Sequence, residues 1–233
     1  MAKTIAVGNQ KGGVGKSTVT MLAATALAAP PFNYRVAVVD LDRQQSIARR
    51  RSMDREDHTD PLPYDVLTYN LATFQREVNR IDSTYQIVFL DVPGKLDSEA
   101  GRDSEAVRVL QYIDLLLIPF TPGNFALAAT LDYLKAALAV KAQRAALDTP
   151  ERLDVVAFRN MHRVRSRHGR TLAGELDALT TLTAVPIMES PLKLYSEFED
   201  ADTLTSLYNP GSKNPARGNL SAWVDELHTL IVK

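Results

Sequence analysis

Residues 4–28 read TIAVGNQKGGVGKSTVTMLAATALA. A short apolar run passes into a glycine-rich stretch and then into an alanine-rich segment with helix-forming character. Strand, glycine loop and helix in this order are the setting in which a G-K-[ST] sequence cradles phosphate. The glycines open backbone conformations closed to other residues and let N–H groups approach an anion, and the helix adds its positive end. Lys16 is placed to reach the β- and γ-phosphates of a nucleotide, and the Ser17 hydroxyl to bind Mg²⁺. The usual spacing G-x-x-x-x-G-K-[ST] asks for glycine at position 10, where Gln10 stands. The glycines come later, at Gly12 and Gly13, and a second lysine, Lys11, precedes them. The expected phosphate-contacting set is Gly12, Gly13, Val14, Gly15, Lys16, Ser17 and Thr18.

Outward from this stretch, apolar runs alternate with helix-period segments. Strands are expected at 4–7, 36–40, 64–68, 87–91, 115–119, 155–158 and 184–187, rich in Val, Ile and Leu and not alternating, as strands covered on both faces should be. Helices are expected near 17–29, 43–52, 71–81, 103–112, 124–147, 170–182 and 220–232. The alternation predicts an α/β fold, a doubly wound, mainly parallel sheet with helices on both faces, as one domain over 1–233. Ligands of such sheets gather at the carboxyl ends of the strands. Residues 53–63 and 208–218 read as surface loops.

The 233-residue chain has no cysteine, which excludes disulfides, iron–sulfur ligation, thiolate zinc sites and cysteine nucleophiles. Its net charge of −1 means that any nucleic-acid contact depends on a local basic patch. The absence of a signal-like start and of a long apolar run predicts a cytoplasmic protein, nucleoid-associated if bacterial.

Three acids end strands near the loop. In VAVVDLDRQQS, Asp40 and Asp42 close a buried strand, and a Mg²⁺–phosphate group is a suitable partner for such carboxylates. Asp42, further out, is the candidate to orient an attacking water or to hold a metal-bound one. Helix capping is the other reading, and it suits Asp40 better than Asp42. In IVFLDVPG, Asp91 follows four apolar residues, the arrangement of an acid that holds Mg²⁺ through its water shell.

KGGVGKST, DLDRQ and LDVPG, together with LLLIPFTPGNFAL, resemble the ParA/MinD group of deviant Walker-A ATPases over nearly the whole chain. The resemblance implies ATP and Mg²⁺ as ligands and a homodimer in the ATP state. It also implies that Lys11 reaches across that dimer to the partner's phosphates. Two positions depart from the group: Arg43 stands where D-x-D-P-Q has proline, and Val92-Pro93-Gly94 stands where two prolines usually follow the acid. Both bear on the stiffness of the loops around the phosphates.

Within the group, cysteine-dependent relatives are excluded. A MinD-like membrane tail is disfavoured too: Leu220, Trp223, Val224, Leu227, Leu230 and Ile231 follow a helical core pattern beside Asp225 and Glu226. No membrane contact is expected. The stretch 159–170, RNMHRVRSRHGR, carries five arginines and no acid. By resemblance to ParA proteins, nonspecific DNA binding falls on Arg163, Arg165, Arg167 and Arg170, against the plain alternative of a solvated charged segment. Arg49-Arg50-Arg51 reads as a helix end satisfying its dipole. The same resemblance places Asn160 where relatives have adenine contacts, and a turn residue is the other reading. The start at the first strand leaves no room for an operator-binding domain, as in the small ParA type.

The expected function is an ATPase that partitions or positions a plasmid, chromosome or other cargo with a ParB-like or other adaptor. The alternatives are a MinD-like ATPase using a membrane or scaffold, and a metabolic ATP-dependent enzyme on the same fold.

Overall fold

The computed structural model describes residues 1–56, 59–92, 105–121, 124–146, 153–162 and 183–233. Six strands, β1 (Lys3–Val7), β2 (Val36–Asp40), β3 (Asp65–Thr68), β4 (Ile87–Asp91), β5 (Leu115–Phe120) and β6 (Asp154–Arg159), form one sheet. Their order is β3-β2-β4-β1-β5-β6 and every pairing is parallel. The helices are α1 (Lys16–Ala28), α2 (Ser46–Asp54), α3 (Leu71–Thr84), α4 (Glu105–Val109, running into a 3₁₀ turn at Leu110–Tyr112), α5 (Asn124–Ala146), α6 (Ser196–Glu199) and α7 (Pro215–Ile231).

Successive strand residues point to opposite faces, and each face has its own core. Ile5, Val7, Val38, Phe89, Leu115 and Leu117 pack under α1 and α7 with Leu22, Leu27, Leu220 and Trp223. Ala6, Val39, Val88, Leu90, Leu116 and Ile118 pack on the other face with Phe74 of α3 and Tyr133 and Leu134 of α5. β2, β4 and β5 are buried along their whole length, which is why their sequences read as unbroken apolar runs.

The structure departs from the sequence reading in four places. The segment 184–187 is not a strand: Ile187 makes one parallel bridge to Ala157. Ala184 sits at φ 55, and Pro186 has no N–H with which to extend a ladder. Helix α2 begins at Ser46 because 42–45 is spent on a turn. Helix α7 begins at Pro215, inside the segment read as a loop. Asn214 caps it, its side chain accepting from the Ala216 and Arg217 amides at 2.8 and 3.3 Å. The short α6 has no counterpart in the sequence reading. The helix expected at 170–182 lies outside the described residues.

Candidate nucleotide site

The sheet order sets β2, β4 and β1 side by side, so their carboxyl ends converge although they are far apart in sequence. Asp40 and Asp91 are direct register partners there, and the loop from β1 to α1 sits beside them. Gly13 and Gly15 adopt φ of 74° and 83°, a region that costs other residues strain. A methyl group built on Gly12 or Gly13 meets nothing within 4 Å, so this part of the loop is an open cradle. On Gly15 the same methyl would lie 2.9 Å from Asn160 Nδ2, so here the loop is pressed against its neighbour.

Ser17, in the first turn of α1, donates from Oγ to Asp91 Oδ2 at 2.9 Å. Asp91 is 2% exposed. Burial pushes its carboxyl up to about 7, the Asp40 and Asp42 charges add to the rise, and the Ser17 bond and Lys16 oppose it. Burial also holds the Lys16 amine below its ordinary value, against the pull of Asp91 and Asp42. That amine lies back on the loop, donating to the Lys11 carbonyl at 3.4 Å. A partly buried cation and a buried acid, each shifted toward its neutral form, are groups that polyphosphate and a metal ion would recharge.

Among the described residues no three His, Asp or Glu side chains gather as a metal cage. Mg²⁺ usually takes only one or two carboxylates and completes its shell with phosphate oxygens and water. The Ser17–Asp91 pair beside an open phosphate cradle fits that demand.

Asp40 is fully buried, and its carboxylate accepts from the Asp42 amide at 3.2 Å and the Ala48 amide at 3.1 Å. It ties the first turn of α2 to β2, which is the capping reading. Asp42 is partly exposed, and its Oδ1 accepts from the Gln44 amide at 2.9 Å. The turn closes through Gln45 N–H to the Asp42 carbonyl at 3.0 Å, which places Arg43 at its second position. That position favours proline but accepts most residues, so the turn accommodates arginine there. Val92 is buried; Pro93 and Gly94 lie outside the described residues.

Lys11 is partly exposed, and among the described residues its amine makes no hydrogen bond or ion pair. Val14 is buried, so its side chain faces inward and it offers only backbone to a ligand. Asn160 is 5% exposed and donates from Nδ2 to the Val14 carbonyl at 2.8 Å. It therefore braces the back of the loop, a role in neither of the two sequence readings. Beside it an apolar cleft opens, lined by Gly15, Thr18, Leu22, Met161, Leu192, Tyr195 and Phe198. The cleft wall from 192 to 198, and Asn9, escaped the sequence reading. Neither carries a motif, and their places depend on distant contacts: Asn9 on Pro119 and Thr130, 110 and 121 residues away, and the wall on the Arg159 carbonyl, which accepts from the Leu192 amide, and on Asn219, whose Oδ1 accepts from the Lys193 amide.

Arg163, Arg165, Arg167 and Arg170 lie outside the described residues. Of the cluster 49–51, Arg51 lies in the last turn of α2, where the dipole reading puts it, and the side chains of Arg50 and Arg51 also have specific partners. Arg50 pairs with Asp54 at 2.8 Å. Arg51 is buried and donates to the Tyr64 carbonyl at 2.7 Å and to the Thr203 hydroxyl and carbonyl at 2.8 and 3.0 Å. Leu220, Trp223, Val224 and Leu227 of α7 are buried as the helical spacing implied. No helix of the described residues is long and apolar enough to cross a membrane.

An all-parallel, doubly wound sheet with a glycine loop after β1 and acids ending β2 and β4 defines a P-loop nucleotide-binding fold. The AAA domain family matches residues 2–77, from β1 into α3. A curated relative, the maintenance of carboxysome distribution protein A of Gloeobacter kilaueensis, is 33% identical over 130 residues, 56% of this chain and 54% of that protein. The match thus spans about half of the relative's length.

Among solved structures, a plasmid partition protein from Borrelia burgdorferi superposes with a TM-score of 0.67 at 16% identity, covering 99% of both chains. Cobyrinic acid a,c-diamide synthase from Mycobacterium smegmatis, with bound ATP analog and magnesium, gives 0.68 at 18% identity over 98% of this chain and 94% of that one. The MinD cell division protein of Aquifex aeolicus gives 0.62 at 17% identity over 98% and 97%. In family match, relative and fold the chain is similar to proteins of the ParA/MinD group.

Proposed function

We propose that this chain is an ATPase of the ParA kind, which dimerises around Mg·ATP, binds nonspecific DNA in that state, and positions a cargo with an adaptor that triggers hydrolysis. The observation that carries the reading is the loop itself. Lys16, Ser17 and Asp91 are gathered beneath an open cradle, while the amine of Lys11 has no partner among the described residues. Lys16 and the loop amides hold the phosphates, Ser17 and Asp91 hold Mg²⁺, and Asp42 orients the water. The base seats in the cleft beside Asn160. Lys11 completes the site of a second copy, where a cation facing spreading phosphoryl charge is worth roughly 10³–10⁵ in rate. A cation supplied by the neighbour makes turnover depend on dimerisation.

Light scattering with ATP, ADP and no nucleotide tests the scheme. Asp42→Ala should bind ATP and accumulate as a dimer, and Lys11→Ala should lose ATP-dependent dimerisation and turnover together. Gel shifts test the arginine stretch. ATP-dependent binding whose log affinity falls steeply with log salt supports it, and loss on replacing Arg163, Arg165, Arg167 and Arg170 assigns it.

The fold likeness to a diamide synthase keeps a metabolic ATP-dependent reading in view. Turnover by a Lys11→Ala monomer equal to that of the wild type would favour it. The relative named for carboxysome distribution supports cargo positioning, with the cargo itself left to a pull-down in the ATP state.

A further inference from the structure

We infer that Asn9 is a positioning residue for Lys11, presetting the lysine for its action on a partner copy; the inference rests on the proposed role of that lysine. Asn9 directly follows the Gly8 that leaves β1, and it is 1% exposed. Its Oδ1 accepts from the Lys11 amide at 3.0 Å. Its Nδ2 donates to the Pro119 carbonyl of β5 and to Thr130 Oγ1 of α5, each at 2.9 Å. Both donor hydrogens are therefore spent on the body of the protein, and the acceptor alone is turned to the loop. Rotating the amide by half a turn would set Nδ2 against the Lys11 N–H and Oδ1 against the Pro119 carbonyl. The orientation is thus unique, and a buried amide would be costly to leave unpaired.

The chain just before is equally constrained. A methyl on Gly8 would collide with the Tyr133 ring and with Leu116, so the strand end lies hard against α5 and β5. Just beyond Lys11 the opposite holds, since Gly12 and Gly13 have open space around them. Lys11 thus stands at the boundary between a clamped segment and a permissive one, and the Asn9–Lys11 bond sets where that boundary falls. With the bond, the side chain departs from a fixed backbone point before any partner arrives. Without it, Lys11 keeps only the 3.4 Å contact of its carbonyl with the Lys16 amine and otherwise joins the glycine segment, to be ordered during association. The nucleotide contacts of Lys16 and Ser17 belong to α1, whose loop is braced separately by Asn160.

The test is a double-mutant cycle between Asn9→Ala and Lys11→Ala, reading Mg·ATP affinity with a fluorescent analogue, ATP-dependent dimerisation, and kcat and KM separately. Asn9→Ala should lower dimer affinity and kcat roughly 10-fold, the size expected for ordering one or two residues. Nucleotide affinity of the monomer should stay within about 3-fold, since the phosphate contacts remain. In the Lys11→Ala background, Asn9→Ala should add nothing further to the loss of kcat. Additive losses, or a fall in nucleotide affinity with kcat intact, would make Asn9 a loop-stabilising residue and overturn the inference. A silent Lys11→Ala overturns the trans-acting lysine and the inference with it, a result distinct from the first. Should Asn9→Ala fail to fold, Thr130→Val removes one of its two anchors and should show the same pattern at smaller size. Unchanged dimerisation in Thr130→Val and also in Asn9→Asp, which keeps an acceptor but loses both donors, counts against it.

Discussion

Asp91 carries a testable electrostatic consequence at a single side chain. Its ordinary value is 3.8, and burial raises it to about 7. Between these values the folded nucleotide-free protein binds more protons than the unfolded chain. The stabilising contribution of Asp91 is complete below about pH 4, falls as pH rises toward about 7, and is flat above. Asp91→Asn removes that ionisation while keeping the shape. In thermal melts without nucleotide, the variant should gain on the wild type as pH rises from 5 to 8, and an unchanged gap would contradict this. Tyr133 offers a second test. Its hydroxyl is buried with no partner among the described residues, and burial pushes its ionisation strongly upward. An unpaired buried hydroxyl costs about 1–3 kcal/mol. Tyr133→Phe should therefore leave denaturant stability unchanged or raise it. Lys16 and Ser17 could be read from the sequence because the motif is local. Asn9 could not, since its partners Pro119 and Thr130 lie 110 and 121 residues away.

Among the elements, α2 is held from two directions. Asp40 receives its first turn, and Arg51 in its last turn reaches the Tyr64 and Thr203 carbonyls, its guanidinium lying 4.3 Å from the Tyr64 ring centre. The Thr203 amide and hydroxyl each donate to Asp54 Oδ2 at 2.8 Å, so the helix end and the 203 segment form one buried polar junction. Arg51→Ala leaves both carbonyls without their charged donor and should cost about 3 kcal/mol in urea unfolding. Arg49→Ala, an exposed neighbour, should be close to neutral. The triple arginine looked uniform in the sequence; burial of one member set it apart. At the other end of the chain, Asn214→Ala should cost α7 about 1 kcal/mol through loss of its cap. The Asn-Pro pair that starts α7 was in plain view, but the neighbouring glycines and prolines read as loop signals.

For the molecule as a whole, the parallel order β3-β2-β4-β1-β5-β6 is what makes a site of dispersed residues. It brings the phosphate loop, Asp42 and Asp91 to one edge while each face of the sheet is sealed by its own core. A ligand held at that edge by the folded state alone should stabilise the whole fold. At 100 times its dissociation constant, Mg·ATP analogue should add roughly 2.7 kcal/mol, read as a rise in Tm. Lys16→Ala should abolish that rise while leaving the nucleotide-free Tm near the wild-type value. A persistent shift in the variant would place binding elsewhere.

Local chemistry was enough to settle the class of fold and to mark the glycine loop as the candidate phosphate site. Short unbroken runs rich in Val, Ile and Leu, alternating with helix-period segments, fit strands covered on both faces, and glycines with a following lysine and serine act within a few residues of one another. Which acid caps a helix and which faces the loop was decided by tertiary contacts, as were the buried Arg51 among three arginines and the asparagines that brace the loop front and back. Each of those outcomes turns on burial and on hydrogen-bond partners from distant strands, and desolvation acts on a position only once the sheet has brought those partners around it.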